Sequence, residues 1–420
     1  MLEGPDRKKA ELAWDELSKP KPVGTHSIRL RAEGAAVLVP HCNGRERVLV
    51  DGVVKDAGTK GPLVLPLDEG AAHEVVIEVK ASSYEKRIAC TEPPRTGAVV
   101  RSTDGLSVLR FASPHRSKGG GEAVVFVPGG HDRARPAAVL VGAHPWNGGP
   151  WTYAAYKELI EEAGRKDVVL LMPSGLGNSL YTADAEDEVM RAIDALGSEL
   201  AVDAQRVSIW GASMGGAGAT TIAFHRPDRF AFVASYFGDS RYDLSTYVKG
   251  ILGGEDGARK VNALDVLENA RHLPVFLVHG EDDHVSPMKQ STMLYDAMKR
   301  AGFGVELERV PGMGHEGPLV AKYLRRVVER AATAVAPRRP SRVSFRSVRA
   351  ADVEAYGVRI VRAGDRDAFV DVERRADAIH VLAAHGVKEI VLANDALGAN
   401  ANAPIVNDVP GSKVTVRWAP

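Results

Sequence analysis

The sequence predicts an α/β fold: a mostly parallel sheet over residues 98–336, flanked by an all-β segment on either side. Three observations carry this expectation. Through the middle of the chain, short apolar runs alternate with helical segments, the pattern of parallel strands covered on both faces. Before it, from about 24 to 97, alternating apolar and polar runs are separated by turn residues, as in a small antiparallel sandwich. After Pro337-Arg338-Arg339-Pro340 the same strand-and-turn texture returns.

Taken in order, residues 6–17 read as a short helix and 18–23 as a Pro/Lys linker, so that 1–23 precede the first β segment. The runs at 26–31, 47–50, 64–67 and 74–80 are the strands of the sandwich-like module 24–97, and 91–97 is the boundary. In the central segment the expected strands are 121–127, 137–143, 168–173, 206–210, 231–236, 274–279 and 305–310. Residues 239–273, between two of them, are long enough for a small lid, and Tyr236, Tyr242 and Tyr247 nearby either contact substrate or, as exposed tyrosines more often do, simply pack. The C-terminal all-β module 337–420 draws its strands from 342–346, 357–361, 368–372, 379–382, 389–392 and 413–418.

Composition excludes several functions. Lys+Arg and Asp+Glu both number 54, so no basic field exists to hold nucleic acid or an anionic membrane. No apolar run approaches transmembrane length, and the first residues lack a signal-peptide pattern; the compartment stays open between secreted or periplasmic and cytoplasmic. Cys42 and Cys90 fall in one strand-like segment, where the two readings are a pair in an oxidising compartment and ordinary buried thiols in a cytoplasmic one, with unpaired thiols the expectation. No metal-ligand spacing is present, and no cofactor is expected.

The chemistry concentrates in Val207–Gly216. A strand ends at Trp210, Gly211-Ala212-Ser213-Met214-Gly215 fits G-x-S-x-G, and a helix of small residues follows. Such a strand-to-helix turn lifts a serine Oγ above the sheet, and the helix N-terminus behind it offers free N–H groups to an oxyanion. G-x-S-x-G also arises by chance in a chain with 42 glycines, so the order of partners matters. An apolar run ending at His279-Gly280 leads into Glu281, Asp282 and Asp283, any of which places a carboxylate past a strand end. After the last strand, Pro311-Gly312-Met313-Gly314-His315 puts a histidine third in the order serine, acid, histidine, where it can act as general base. One oxyanion donor is the Met214 N–H. The other comes from His144-Pro145-Trp146-Asn147-Gly148-Gly149, where Pro145 has no N–H, leaving Trp146, with Asn147 as the alternative. His144, Asn147, Trp151 and Tyr236 are further pocket candidates, and packing is an equal reading for Trp151.

With these residues in view, 98–336 resembles an α/β-hydrolase of the polyhydroxybutyrate-depolymerase, feruloyl-esterase and dienelactone-hydrolase-like neighbourhood, with prolyl-oligopeptidase-like relatives. The resemblance rests on His144–Gly149, Val202-Asp203 before Arg206-Val207, Gly211–Gly216, Arg226–Ala231, and the acid and histidine loops. It selects Asp283 among the three acids and implies a serine hydrolase acting on a small-molecule or polymer-linked ester. A dienelactone hydrolase would carry cysteine where Ser213 stands. The C-terminal module resembles β-rich tails of some bacterial hydrolases. A peptidase with the same triad is the nearest alternative. An inactive core with binding modules is the third, and it would need exposed aromatic platforms among Phe345, Tyr356, Phe369 and Trp418.

Overall fold

The computed structural model describes residues 24–33, 36–39, 45–57, 63–67, 71–81, 95–96, 105–116, 120–132, 134–154, 156–411 and 413–420. The expected helix at 6–17 and both cysteines, Cys42 and Cys90, lie outside the described residues. The described residues divide into two compact units, one drawn from 1–133, 144–179 and 188–199, the other from 134–143, 180–187 and 200–420.

In the first unit, strands Gly24–Glu33, Ala72–Ala81, Arg45–Val50 and Val53–Ala57 form one antiparallel sheet, and Leu63–Pro66, Ala36–Val39 and Arg95–Thr96 form a second. Alternate residues of both, among them Val37, Val48, Val75 and Ile77, share one apolar core, and Trp151 packs against it. Further along the chain, β1 (Leu106–Phe111) pairs antiparallel with β2 (Gly121–Phe126). β4 (Val168–Pro173) in turn runs antiparallel to β2.

The second unit is built on parallel strands: β3 (Ala137–Ala143), β5 (Val202–Ala212), β6 (Phe232–Tyr236), β7 (Val275–Gly280) and β8 (Val305–Val310), in the order β8-β7-β6-β5-β3. β3, β6 and β7 are buried at every position, which is why they read as unbroken apolar runs and not as alternating ones. The register aligns their carboxyl ends: Ala143 lies opposite Gly211, Ala212 opposite Tyr236, and Gly280 opposite Val310. The loops leaving β5, β6, β7 and β8 therefore meet on one edge, where ligand sites of open parallel sheets are found.

Between the strands lie α1 (Lys157–Lys166), α2 (Asp184–Glu199), α3 (Met214–His225), α4 (Lys289–Arg300) and α5 (Gly317–Thr333). α3 is buried along its whole length, so its Gly/Ala/Thr sequence serves close packing and not propensity. The segment between β6 and β7 folds into short turns, with helices at Thr246–Ile251 and Glu255–Arg259 and 3-10 turns at Tyr242–Leu244 and Ala263–His272.

The C-terminal strands belong to this second unit. Two four-stranded sheets, Arg342–Ser347/Ala368–Arg375/Ala378–His385/Ile405–Asn407 and Glu354–Ala355/Val358–Arg362/Val387–Leu392/Thr415–Trp418, enclose a core that includes Phe345, Ile360, Val370 and Ile390. A buried ionic cluster joins their first turn to the end of α3. His225 Nδ1 donates to Asp352 at 2.7 Å, Arg349 spans Asp352 and Glu186, and Arg226 reaches Glu186 at 3.0 Å. Tyr356 adds a hydrogen bond to the Pro227 carbonyl.

Candidate active site

Ser213 stands between β5 and α3 with φ 57° and ψ −121°, a region that costs a non-glycine residue about 1–3 kcal/mol. Its backbone is held on both sides: its N–H donates to the Tyr236 carbonyl at 2.9 Å and its carbonyl accepts from Ala217 at 3.0 Å. The turn is tight enough that a Cβ at Gly211 would lie 2.4 Å from the Gly215 backbone, so the first glycine of the motif is required by contact alone.

Asp283 lies in the loop after β7 and is buried. That loop runs backbone to backbone against the loop after β8. Glu281 N–H donates to the Val310 carbonyl and Asp282 N–H to the Met313 carbonyl, each at 3.0 Å. A Cβ at Gly280 would sit 2.2 Å from the Met313 oxygen, so this approach needs glycine. Asp283 Oδ1 accepts from the N–H groups of Val285 and Ser286 at 2.8 and 2.9 Å, which turns Oδ2 toward the histidine loop.

His315 completes the arrangement. Its Nδ1 is 2.8 Å from Asp283 Oδ2 and its Nε2 is 2.7 Å from Ser213 Oγ. The Phe237 ring packs on the imidazole at 4.3 Å between centroids. His279, four residues before Asp283, bonds to the Ser286 carbonyl through Nε2 and to Ser291 through Nδ1. Burial pushes its pKa down, outweighing its hydrogen bond to Ser286 and the nearby Asp283 charge, so the neutral ring shapes the acid loop.

The remaining candidates fall differently. Met214 opens α3 at the position whose N–H has no partner within the helix. Tyr236 is fully buried, its ring edge-on to Trp210 and Phe237, so its backbone and not its ring serves Ser213. In the other unit, residues 145–148 form a turn closed by Gly148 N–H to the Pro145 carbonyl, with Asn147 at φ 62°. Asn147 spends its own N–H on Asn178 Oδ1 at 2.6 Å, whereas the Trp146 N–H takes no part in that turn's bonding. Trp146 is exposed, and Trp151 packs against the β core described above. His144 is buried with its Nε2 on the Ser174 carbonyl, and desolvation lowers its pKa despite hydrogen bonds to Pro145 and Ser174.

Sequence reasoning did not find Phe237, Asp239 or the bridging role of Ser286. Asp239 Oδ1 accepts the Ser286 hydroxyl at 2.6 Å. Among the described residues no group of His, Cys, Asp and Glu is placed to hold a metal ion, and no helix is long and apolar enough to cross a membrane. The aromatic residues of the C-terminal sheets offer no open platform: Phe345 and Tyr356 are buried, Arg346 lies over Phe369, and Trp418 packs on the core.

Residues 177–334 match the sequence model of the Prolyl oligopeptidase family. The matched segment is an α/β-hydrolase. Its parallel strands, its serine turn and the loops that follow β7 and β8 agree with that assignment. A 49-residue stretch is 39% identical to acyl-protein thioesterase 1 of Neurospora crassa, spanning 12% of this chain and 20% of that protein. Among solved structures, S-formylglutathione hydrolase from Agrobacterium tumefaciens is 20% identical with a TM-score of 0.49, covering 55% of this chain and 95% of that one. Acylaminoacyl peptidase from Pyrococcus horikoshii is 17% identical with the same TM-score of 0.49, covering 71% and 50%.

Proposed function

We propose that the chain cleaves carboxylic esters by acyl transfer through Ser213, His315 and Asp283. The observation that carries this reading is the unbroken relay from Ser213 Oγ to His315 Nε2 at 2.7 Å and from His315 Nδ1 to Asp283 Oδ2 at 2.8 Å. Ser213 Oγ attacks the ester carbonyl while His315 Nε2 takes its proton. Asp283, acceptor to Nδ1–H, fixes the tautomer and stabilises the imidazolium. The negative oxygen of the tetrahedral intermediate is held by the Met214 N–H, aided by the positive end of α3. Collapse breaks the carbon–oxygen bond, and His315 returns the proton to the leaving alcohol. Water, activated by the same imidazole, then releases the acid and regenerates Ser213.

The match to the Prolyl oligopeptidase family favours a second reading, a serine peptidase using the same residues. The short likeness to an acyl-protein thioesterase favours ester-type substrates. A panel of acyl p-nitrophenyl esters and thioesters set against amino-acyl anilides separates the two. The ester reading expects turnover of the esters with anilides at least about a hundredfold slower in kcat/KM. Preference for anilides would replace it with the peptidase reading.

A further inference from the structure

We infer that Phe237 is a positioning residue for proton transfer, its ring set on the face of His315 so that Nε2 stays turned toward Ser213. The inference rests on the hydrolase reading above and deepens it. Phe237 follows β6 directly and is buried. Its ring lies between the two histidines of the site. Centroid to centroid it is 4.3 Å from the His315 ring, tilted by 48°, and 6.4 Å from the His279 ring, edge-on at 77°. One side chain thus meets both the general base and the neutral ring that shapes the acid loop.

The backbone that carries the ring is strained. Phe237 has φ 40°, a left-handed value that a bulky side chain rarely takes. It is held there from both sides. Its N–H donates to the Val278 carbonyl at 2.8 Å. A Cβ at Gly238 would lie 2.4 Å from the Ala217 nitrogen, so the next residue presses on the first turn of α3. Beyond it Asp239 accepts from Ser286, and Gln290, in the first turn of α4, clips the two residues that follow. Gln290 Oε1 accepts from the Ser240 and Arg241 N–H groups at 3.1 and 3.0 Å, and Nε2 donates to the Arg241 carbonyl at 2.8 Å. Glycine would take the Phe237 conformation without conflict. Strain of this kind persists where the surroundings over-determine it, and it clusters at reacting centres. What glycine would lose here is the ring on His315.

That ring supplies what the relay lacks. His315 holds Asp283 and Ser213 through ring nitrogens whose hydrogen bonds lie in the imidazole plane. Phe237 stands against the face, where it opposes rotation out of that plane. Its part is largest once Ser213 Oγ is bonded to the acyl carbon. The hydrogen bond between Nε2 and Oγ is then weakened, and Asp283 grips the imidazolium at one end only. An apolar wall offers no competing acceptor and keeps the Nε2 proton aimed at the leaving group.

The test is the rate of fluorophosphonate labelling of the full-length chain, followed by intact mass against reagent concentration, which separates the chemical step from reversible binding. In that step Ser213 Oγ bonds to phosphorus, fluoride leaves and His315 takes the serine proton, so the natural acyl group need not be known. Phe237→Ala is expected to slow the chemical step by about thirty- to a hundredfold, with the half-saturating concentration within about twofold. Phe237→Tyr, which keeps a ring, should stay within about threefold of the native chain. A side chain that only packed would alter the melting temperature and leave the chemical step of the folded chain untouched. An undiminished step in folded Phe237→Ala would therefore overturn the inference. Should Phe237→Ala lose its fold by circular dichroism, Phe237→Leu, which keeps apolar volume without the ring, decides. A step slower by about three- to tenfold supports the role, and an unchanged one ends it. No adduct on the folded native chain would sink the hydrolase reading and the inference with it; an adduct there with an unaltered Phe237→Ala counts against the inference alone.

Discussion

The two ends of α3 carry the same pair of side chains. At its N-terminus, His315 Nδ1 meets Asp283 Oδ2 at 2.8 Å; at its C-terminus, His225 Nδ1 meets Asp352 Oδ2 at 2.7 Å. The difference lies in the third partner and in access. His315 Nε2 reaches Ser213 Oγ and its side chain is 17% exposed, whereas the His225 side chain is 0% exposed and its Nε2 meets no partner among the described residues. A histidine–aspartate pair is therefore no signature of catalysis by itself. At one end it orients a ring toward a strained, reachable serine. At the other it closes a buried ionic cluster with Arg349 and Glu186 that fastens the C-terminal strands to the helix.

Substitutions at the two ends should separate activity from stability. Largest is the effect at the serine: Ser213→Ala or His315→Gln should lower ester kcat/KM by about 10⁴-fold or more with little change in melting temperature. His225→Gln should leave kcat within a few fold; a comparable loss of activity in a folded His225→Gln would break the distinction. Asp283→Asn should cost about 10³–10⁴ in kcat, because its amide no longer fixes the His315 tautomer. Asp352→Asn strands Arg349 and His225 in a buried site and should cost about 3–5 kcal/mol in urea denaturation while kcat at neutral pH is preserved.

Much of this is legible in the amino-acid sequence. The α/β sheet was readable because strands buried on both faces must be apolar throughout, as at 137–143 and 274–279. β1 was not, because its residues are half-buried or exposed and its pattern resembles surface chain. Ser213, Asp283 and His315, which the structure brings together, could be nominated because fold topology fixes the order in which such loops leave the sheet. No comparable rule connects Asp239 with Ser286, 47 residues later, or His225 with Asp352, 127 residues later. Those contacts follow from how loops and sheets pack, and a pairwise contact between polar residues leaves no periodic trace in one sequence.

The acid limb of stability sharpens the comparison further. Burial alone would raise the Asp352 carboxyl, but hydrogen bonds from His225 and Arg349 outweigh it and hold it at about 2. A carboxyl lowered on folding stabilises the native state above its unfolded pKa of about 4, and that contribution is lost as pH falls from there toward 2. It amounts to about 2 kcal/mol. Chemical denaturation between pH 5 and 2 should show this loss in the native chain and a flatter profile in Asp352→Asn. Smallest is the effect of Phe237→Leu, which thins the packing on His315; kcat should fall about three- to tenfold with KM nearly unchanged.

The most direct test of the central claim is intact-mass analysis after fluorophosphonate treatment of the native chain, Ser213→Ala and His225→Gln. One adduct on the native chain and on His225→Gln, and none on Ser213→Ala, is the predicted result. No adduct on a folded native chain, or an adduct that persists in Ser213→Ala, would contradict the assignment of Ser213 as the activated nucleophile.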